Sequence, residues 1–280
     1  MNILIIQENG RHEANRHFRE CFCMQRSLQK IGHHVDVWGF GHDNYSINPD
    51  WDSYDLILNF ENYDTTGWSP NLSHTTRPKK FLWSIDAHCV GLKPFIDTYR
   101  SGNYDLILQS TEDFVQENSV WFPNCYDHNL IKPSAPKSTF LGFCGSILNR
   151  KPLLDHLSGK YGLKQDIWKL GEEMVRTVSS YKVHFNINLA NDINYRSFET
   201  IGCETLLLTN YNPQYEKLGF IHGENCLMYQ DQKSLFRNIE ACQMDADLIT
   251  TISRNGYLLS SRHTYDDRAK KLLSLYQECS

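Results

Sequence analysis

The residues best suited to chemistry fall between Asn188 and Asn210, in the run N-L-A-N-D-I-N-Y-R-S-F-E-T-I-G-C-E-T-L-L-L-T-N. A polar loop with Asn191, Asp192 and Asn194 leads into Arg196 and Glu199. Those two stand at i and i+3 at the start of an expected helix, so they project on one side of it. The Glu199 carboxylate is a bidentate acceptor suited to the paired hydroxyls of a ribose. The planar guanidinium of Arg196 matches the oxygens of a diphosphate, and a helix N-terminus would add amide donors and a favourable dipole. The plainer alternative is an ordinary Arg–Glu helix pair, worth a few tenths of a kcal/mol.

A second segment, F-L-G-F-C-G-S-I-L-N-R-K over residues 140–151, puts Gly145 and Ser146 directly after an expected strand. A glycine there lets the backbone approach a ligand, Ser146 adds a hydroxyl, and Arg150 and Lys151 can neutralise phosphate. Neither a G-x-G-x-x-G fingerprint nor a Walker A loop is present, so the segment is equally compatible with a plain strand-end turn beside a basic pair. In the first half, Ser84-Ile85-Asp86-Ala87-His88 follows an apolar strand. Asp86 suits a general base, and His88 a hydrogen-bonding contact or acid. Glu8 is a second candidate base, and Asn9, Arg11 and His12 in the same loop are candidate substrate contacts. Asp86 as a loop cap and Asn9-Gly10 as a simple turn are the competing readings.

The elements that position these residues alternate. Strands are expected at Asn2–Gln7, Val35–Trp38, Tyr54–Phe60, Phe81–Ile85, Tyr104–Leu108 and Val120–Phe122, with a helix around His12 to Ile31 stopped by Gly32. The stretch Lys132–Ser138, with two prolines and no apolar period, reads as a linker. Beyond it, strands are expected at Thr139–Cys144, Gln165–Leu170, Val183–Leu189 and Thr205–Thr209. Helices are expected at about 151–161, from Tyr195 to Cys203, and over 233–243, 245–260 and Tyr265–Cys279. Short apolar strands separated by helices imply parallel sheets covered on both faces. The reading is an α/β chain of two Rossmann-like domains, 1–132 and 138–262, with parallel sheets facing a central cleft. A C-terminal helix over 263–280 would pack back on the first domain. Ligands in such sheets sit outside the carboxyl ends of the strands.

Composition narrows the class. The chain has 280 residues, 40% hydrophobic and 22% charged, with net charge -5. That excludes disordered, fibrous and disulfide-stapled architectures. Residues 1–136 hold 11 basic and 17 acidic residues, so a bulk basic surface for nucleic acid is absent. One local cluster, Arg11, His12, Arg16, His17, Arg19 and Arg26, departs from this; it could equally be a solvated helix face. No stretch approaches the ~20 apolar residues of a membrane helix, and the N-terminal apolar run reads as a strand rather than a signal peptide. Nine irregularly spaced cysteines without a C-x-x-C suggest the reduced thiols of a cytoplasmic protein. No metal site is expected: His33-His34 lacks further ligands, and Asp245-Ala246-Asp247 falls in a helical region.

Residues 139–270 resemble the C-terminal domain of GT-B glycosyltransferases, in the spore-maturation-type, family 1-like branch. The resemblance rests on F-C-G-S with a downstream arginine, on N-Y-R-S-F-E-T-I-G-C, on L-L-L-T-N, on G-F-I-H-G-E-N-C-L-M-Y and on H-T-Y-D-D-R-A-K-K-L-L. It implies a C-terminal domain that grips a nucleotide-diphosphate sugar and an N-terminal domain that receives the acceptor. Glu199 would hold the ribose, and Arg150 and Arg196 would face the diphosphate. Gly145 and Ser146 would line the phosphate turn, and the loop with Asn191 and Asn194 would lie near the sugar. Two positions depart from the family pattern: Asn191 stands where retaining relatives carry a glutamate, and Glu204 where a glycine is common. The implied reaction needs no cofactor beyond the sugar donor. The acceptor is a glycan, a small molecule or a hydroxymethylated base in DNA of the kind some bacteriophage enzymes modify, the last motivated by the Arg11–Arg26 cluster. A non-catalytic nucleotide- or sugar-binding protein is the rival class.

Overall fold

The computed structural model describes residues 1–10, 12–60, 67–87, 103–188 and 190–279. It divides into two compact units, Met1–Asn124 with Tyr265–Ser280, and Cys125–Thr264.

The first unit is built on six strands: β1 (Asn2–Ile6), β2 (His34–Trp38), β3 (Leu56–Phe60), β4 (Lys79–Ser84), β5 (Leu106–Gln109) and β6 (Ser119–Trp121). Their order is β2-β1-β3-β4-β5-β6, and every pairing is parallel. Central strands such as β3 are buried at every position, which is why they read as unbroken apolar runs rather than as alternating ones. Leu4, Ile6, Trp38, Ile57, Trp68 and Leu82 make one core cluster on this sheet. Helix α1 (Glu20–Lys30) follows β1 and buries Cys21, Cys23, Met24 and Leu28.

The second unit carries β7 (Thr139–Cys144), β8 (Lys164–Asp166), β9 (Tyr181–Phe185), β10 (Leu206–Asn210) and β11 (Leu227–Tyr229), again all parallel, in the order β11-β10-β9-β7-β8. Its helices are α2 (Lys151–Tyr161), α3 (Gly171–Ser180), α4 (Tyr195–Gly202), α5 (Pro213–Lys217), α6 (Gln232–Met244) and α7 (Ala246–Ser260). Leu141, Phe143, Val183, Phe185, Leu206 and Leu208 from the central strands form a core with Leu154, Leu157 and Ile239 from α2 and α6. The last helix, α8 (Tyr265–Glu278), belongs to the first unit and packs on α1. Lys30 meets Asp266 at 2.6 Å, and Arg268 donates to the carbonyls of Pro123 (2.7 Å) and Asn124 (3.1 Å). No described helix is long and apolar enough to cross a membrane.

Several elements differ from the sequence-based expectation. The helix around His12 to Ile31 is two pieces, a 3-10 turn over Glu13–Phe18 and then α1, because Arg19 adopts an extended conformation between them. The strand expected to run to Leu189 ends at Phe185, because Asn186 and Asn188 turn into buried hydrogen bonds with side chains of neighbouring elements. The strand expected at Gln165–Leu170 is the shorter β8, and Gly171 opens α3 rather than closing a strand. The proline-rich stretch Lys132–Ser138 is docked rather than loose: the Ser134 amide and hydroxyl both lie 3.2 Å from Ser179 Oγ, and the unit division falls earlier, after Asn124.

Candidate functional site

Because all five strands of the second unit are parallel, the loops after β7 and β9 leave the same edge of its sheet. Gly145 and Ser146 follow β7, and Gly145 N–H donates to Asp166 O at 3.2 Å. Arg150 reaches back across this turn. Its Nη1 donates to Ser146 O at 2.9 Å and its Nη2 to Ile187 O at 3.0 Å, so one guanidinium ties the loop after β7 to the loop after β9. Its Nε is buried without a hydrogen-bond partner. Burial pushes the Arg150 pKa down, opposed by the charge of Asp192, and the nearby Arg196 pushes it further down.

Arg196 Nη1 lies 2.7 Å from Glu199 Oε2, with side chains 22% and 17% exposed. Burial opposes the Arg196 charge, but Glu199 together with Cys144, Cys203 and Tyr181 outweighs it, leaving the pKa raised. The pair is the helix ion pair that the i, i+3 spacing allowed. Asn194 is committed to the backbone: it is the N-cap of α4, its Oδ1 accepting from Ser197 N at 3.2 Å. Asn191 is exposed, and its carbonyl accepts from Gln214 Nε2 at 2.9 Å.

Under this loop lies a polar network. Tyr215 OH receives Asn188 Nδ2 at 2.9 Å and meets Ser197 Oγ at 2.7 Å and Thr209 Oγ1 at 3.1 Å, while Asn186 Nδ2 reaches Ser197 Oγ at 3.2 Å. Buried polar groups so closely satisfied fix the loop in one arrangement. Beside them, His184 Nε2 accepts from Cys144 N at 3.2 Å, which leaves Nδ1 as the protonated nitrogen, 2.6 Å from Thr200 Oγ1. Burial, then the positive charge of Arg196, holds the His184 pKa well below 6.5, so the ring stays neutral in the fold. The unfolded chain therefore takes up a proton that the fold refuses. Stability is at its full value above pH 6.5 and falls below it, by about 1.4 kcal/mol per pH unit. Urea titrations from pH 7 to 5 should show this loss, and His184→Gln should remove about one proton from the slope; an unchanged slope would contradict the assignment.

In the first unit, the Glu8 carboxylate sits 3.6 Å from the Arg19 guanidinium, and Asn9 Nδ2 donates to Gly41 O at 2.8 Å. His12 is exposed, and its carbonyl accepts from Asn15 N at 3.0 Å. Asp86 is half-buried two residues past β4. Arg11 and His88 lie outside the described residues. One group was missed in the sequence: Gln109, fully buried at the end of β5, with neither amide atom hydrogen-bonded. Thr111 Oγ1 and Trp83 Nε1 close by in sequence or sheet register are likewise buried and unpartnered. The signal available was a lone polar residue closing the apolar run L-I-L-Q. Among the described residues no cluster of His, Cys, Asp or Glu could hold a metal ion, and Asp245 instead caps α7, accepting from Leu248 N at 2.9 Å.

Residues 150–274 match a family described as glycosyl transferase-like. No curated protein matches in sequence. Among solved structures, the Anabaena protein HepE, crystallised with UDP and glucose, is similar at a TM-score of 0.65 and 12% identity, covering 99% of this chain and 100% of its own. Sucrose-phosphate synthase from Thermosynechococcus elongatus aligns at 0.66 and 12%, over 99% and 98%. An alpha-glucosyltransferase in complex with UDP and a 13-mer DNA containing an HMU base aligns at 0.66 and 11%, over 99% of each chain. The chain therefore has the GT-B fold of two Rossmann-like units, and its residues 150–274 match a glycosyl transferase-like family.

Proposed function

We propose that this chain is a glycosyltransferase that moves a sugar from a nucleoside diphosphate to an acceptor hydroxyl. The observation that carries the reading is the Arg150 guanidinium, tied to two loops with its Nε left bare. A departing diphosphate develops negative charge at such a place, and fixed cations aimed at it are commonly the largest contribution to the rate. Arg196 serves the same charge, and Glu199, held in place by Arg196, takes the ribose hydroxyls. Gly145 and Ser146 line the turn against the phosphates, and the Asn191–Asn194 loop lies towards the sugar. The solved neighbours crystallised with UDP make a uridine nucleotide the first donor to test.

The acceptor is received by the first unit, with Asp86 as general base and Glu8, Asn9, His12 and the unpartnered Gln109 amide as polar contacts. A glycan or small molecule is favoured over DNA. Of the basic cluster, Arg19 is engaged with Glu8 and Glu20, and Arg26 with His17 O and Cys23 Sγ, which leaves Arg16 as the exposed arginine among the described ones. DNA binding that falls steeply with salt would reverse that preference. A thermal-shift screen over nucleoside diphosphates and their sugars tests the donor, since selective binding stabilises the fold by mass action. Asp86→Ala is expected to keep the nucleotide-induced shift and lower turnover about a hundredfold or more. Full turnover in that variant would remove Asp86 from the reaction, a flat screen would overturn nucleotide binding, and a thermal shift without any donor hydrolysis would favour the non-catalytic binding protein.

A further inference from the structure

The second unit has another cavity, of about 360 Å³, lined by Lys137, Lys182, Glu204, Ala246, Ile249, Thr250 and Ser253. Lys137 precedes β7, Lys182 is the second residue of β9, and Glu204 precedes β10. These three adjacent strands are parallel, so their N-terminal ends share one sheet edge, opposite to the loops that carry Arg150 and Arg196. The remaining wall is the first half of α7, which packs on β10 and α4. The cavity is therefore separate from the donor site.

Three features mark it as built for a ligand. Ser253 is 6% exposed, and its Oγ has no hydrogen-bond partner, an arrangement that costs free energy until something fills it. Lys137 directs its ammonium inward, donating to Thr205 Oγ1 at 2.6 Å and to Cys203 O at 3.4 Å, and burial pushes its pKa down to about 8. Glu204 sits at φ +50, the left-handed region that side chains avoid, with its amide donating to Ile201 O at 3.0 Å. Strain of this kind gathers at ligand sites. Two lysines, one glutamate, a serine and a threonine line the cavity together with Ala246 and Ile249, and of these Lys182, Ala246 and Thr250 stand at its exposed rim.

We propose that this cavity binds a small monocarboxylate with a hydrogen-bond donor next to the carboxylate, a 2-amino or 2-hydroxy acid with an apolar side chain. Lys137 and Lys182 take the carboxylate, and Ser253 completes its hydrogen bonds. Glu204 accepts from the adjacent ammonium or hydroxyl, and its charge disfavours a dianion. Ala246 and Ile249 cover the apolar tail.

Calorimetric titration of the full chain with L-leucine, its 2-hydroxy analogue, 4-methylpentanoate and inorganic phosphate tests this without any sugar donor, so its failure is distinct from failure of the transferase reading. Saturable binding of leucine or of the hydroxy analogue is expected, and whichever binds identifies the donor group. 4-Methylpentanoate, lacking that donor, should bind about tenfold more weakly. Lys137→Met and Glu204→Gln should each weaken binding about tenfold, and Ser253→Leu, which fills the cavity, should abolish it. Thermal melts establish that each variant is folded, and Glu204→Gly, which relieves the left-handed strain, supplies a carboxylate-free variant should Glu204→Gln unfold. No saturable binding of any organic acid at millimolar concentration would overturn the proposal. So would phosphate binding as tightly as leucine, or binding unaffected by Ser253→Leu in a folded protein.

Discussion

Arg150→Ala is expected to lower kcat/KM for the sugar donor by about a hundredfold to a thousandfold, the usual effect of removing one fixed donor from a site of developing negative charge. The residue is half-buried, and its guanidinium joins the loop after β7, through Ser146 O, to the loop after β9, through Ile187 O. Alanine removes both the charge and this tie. Arg150→Lys should recover only part of the loss, because an ammonium keeps the charge without the planar fork. Steady-state kinetics across the three proteins checks both statements. Kinetics in Arg150→Ala equal to those of the unsubstituted protein would mean that the diphosphate lies elsewhere.

Gly142→Ala should produce a large loss of stability, about 3 kcal/mol, read as a lower urea midpoint. A Cβ at Gly142 would fall 2.3 Å from the Tyr181 ring. That ring cannot yield easily. Tyr181 is fully buried, and its hydroxyl donates to Asp166 Oδ2 at 2.5 Å and lies 3.3 Å from Phe143 O. Gly142 pairs with His184 across β7 and β9, so a shift there would also disturb the strand end that leads to Gly145. The variant should therefore lose nucleotide-induced stabilisation along with its fold. A midpoint within experimental error of the parent would show that β7 and Tyr181 separate more readily than their contacts indicate.

Much of this architecture was legible in the residues. Runs such as L-I-L-N-F and T-F-L-G-F-C are apolar because both faces of a parallel strand are covered, and they mark β3 and β7 within a few residues. The Arg196–Glu199 spacing and its place at a helix start were also visible. What escaped depends on context. Gly171 was read as an ending, whereas it opens α3, whose buried Met174, Val175 and Val178 are the helical signal that the glycine obscured. β11 spans three residues, too few for a period to show. Asn194 read as a ligand because asparagine suits both tasks, and only the backbone reveals that it caps α4. The bond from Arg150 to Ile187 O crosses 37 residues, and no spacing rule anticipates it. Gln109 lay outside the expected strand Tyr104–Leu108, and its significance lies in complete burial without a partner.

On the proposed reading, the edge of the second sheet holds a nucleoside diphosphate by Arg150 and the Arg196–Glu199 pair. Calorimetric titration of UDP into the parent protein, Arg150→Ala and Glu199→Ala measures it directly. One-to-one binding to the parent is predicted, with each substitution weakening it about tenfold or more. Uridine should bind much more weakly to the parent and be indifferent to Arg150→Ala, because it has no phosphate for that guanidinium. UDP binding of equal strength in all three proteins would contradict the account.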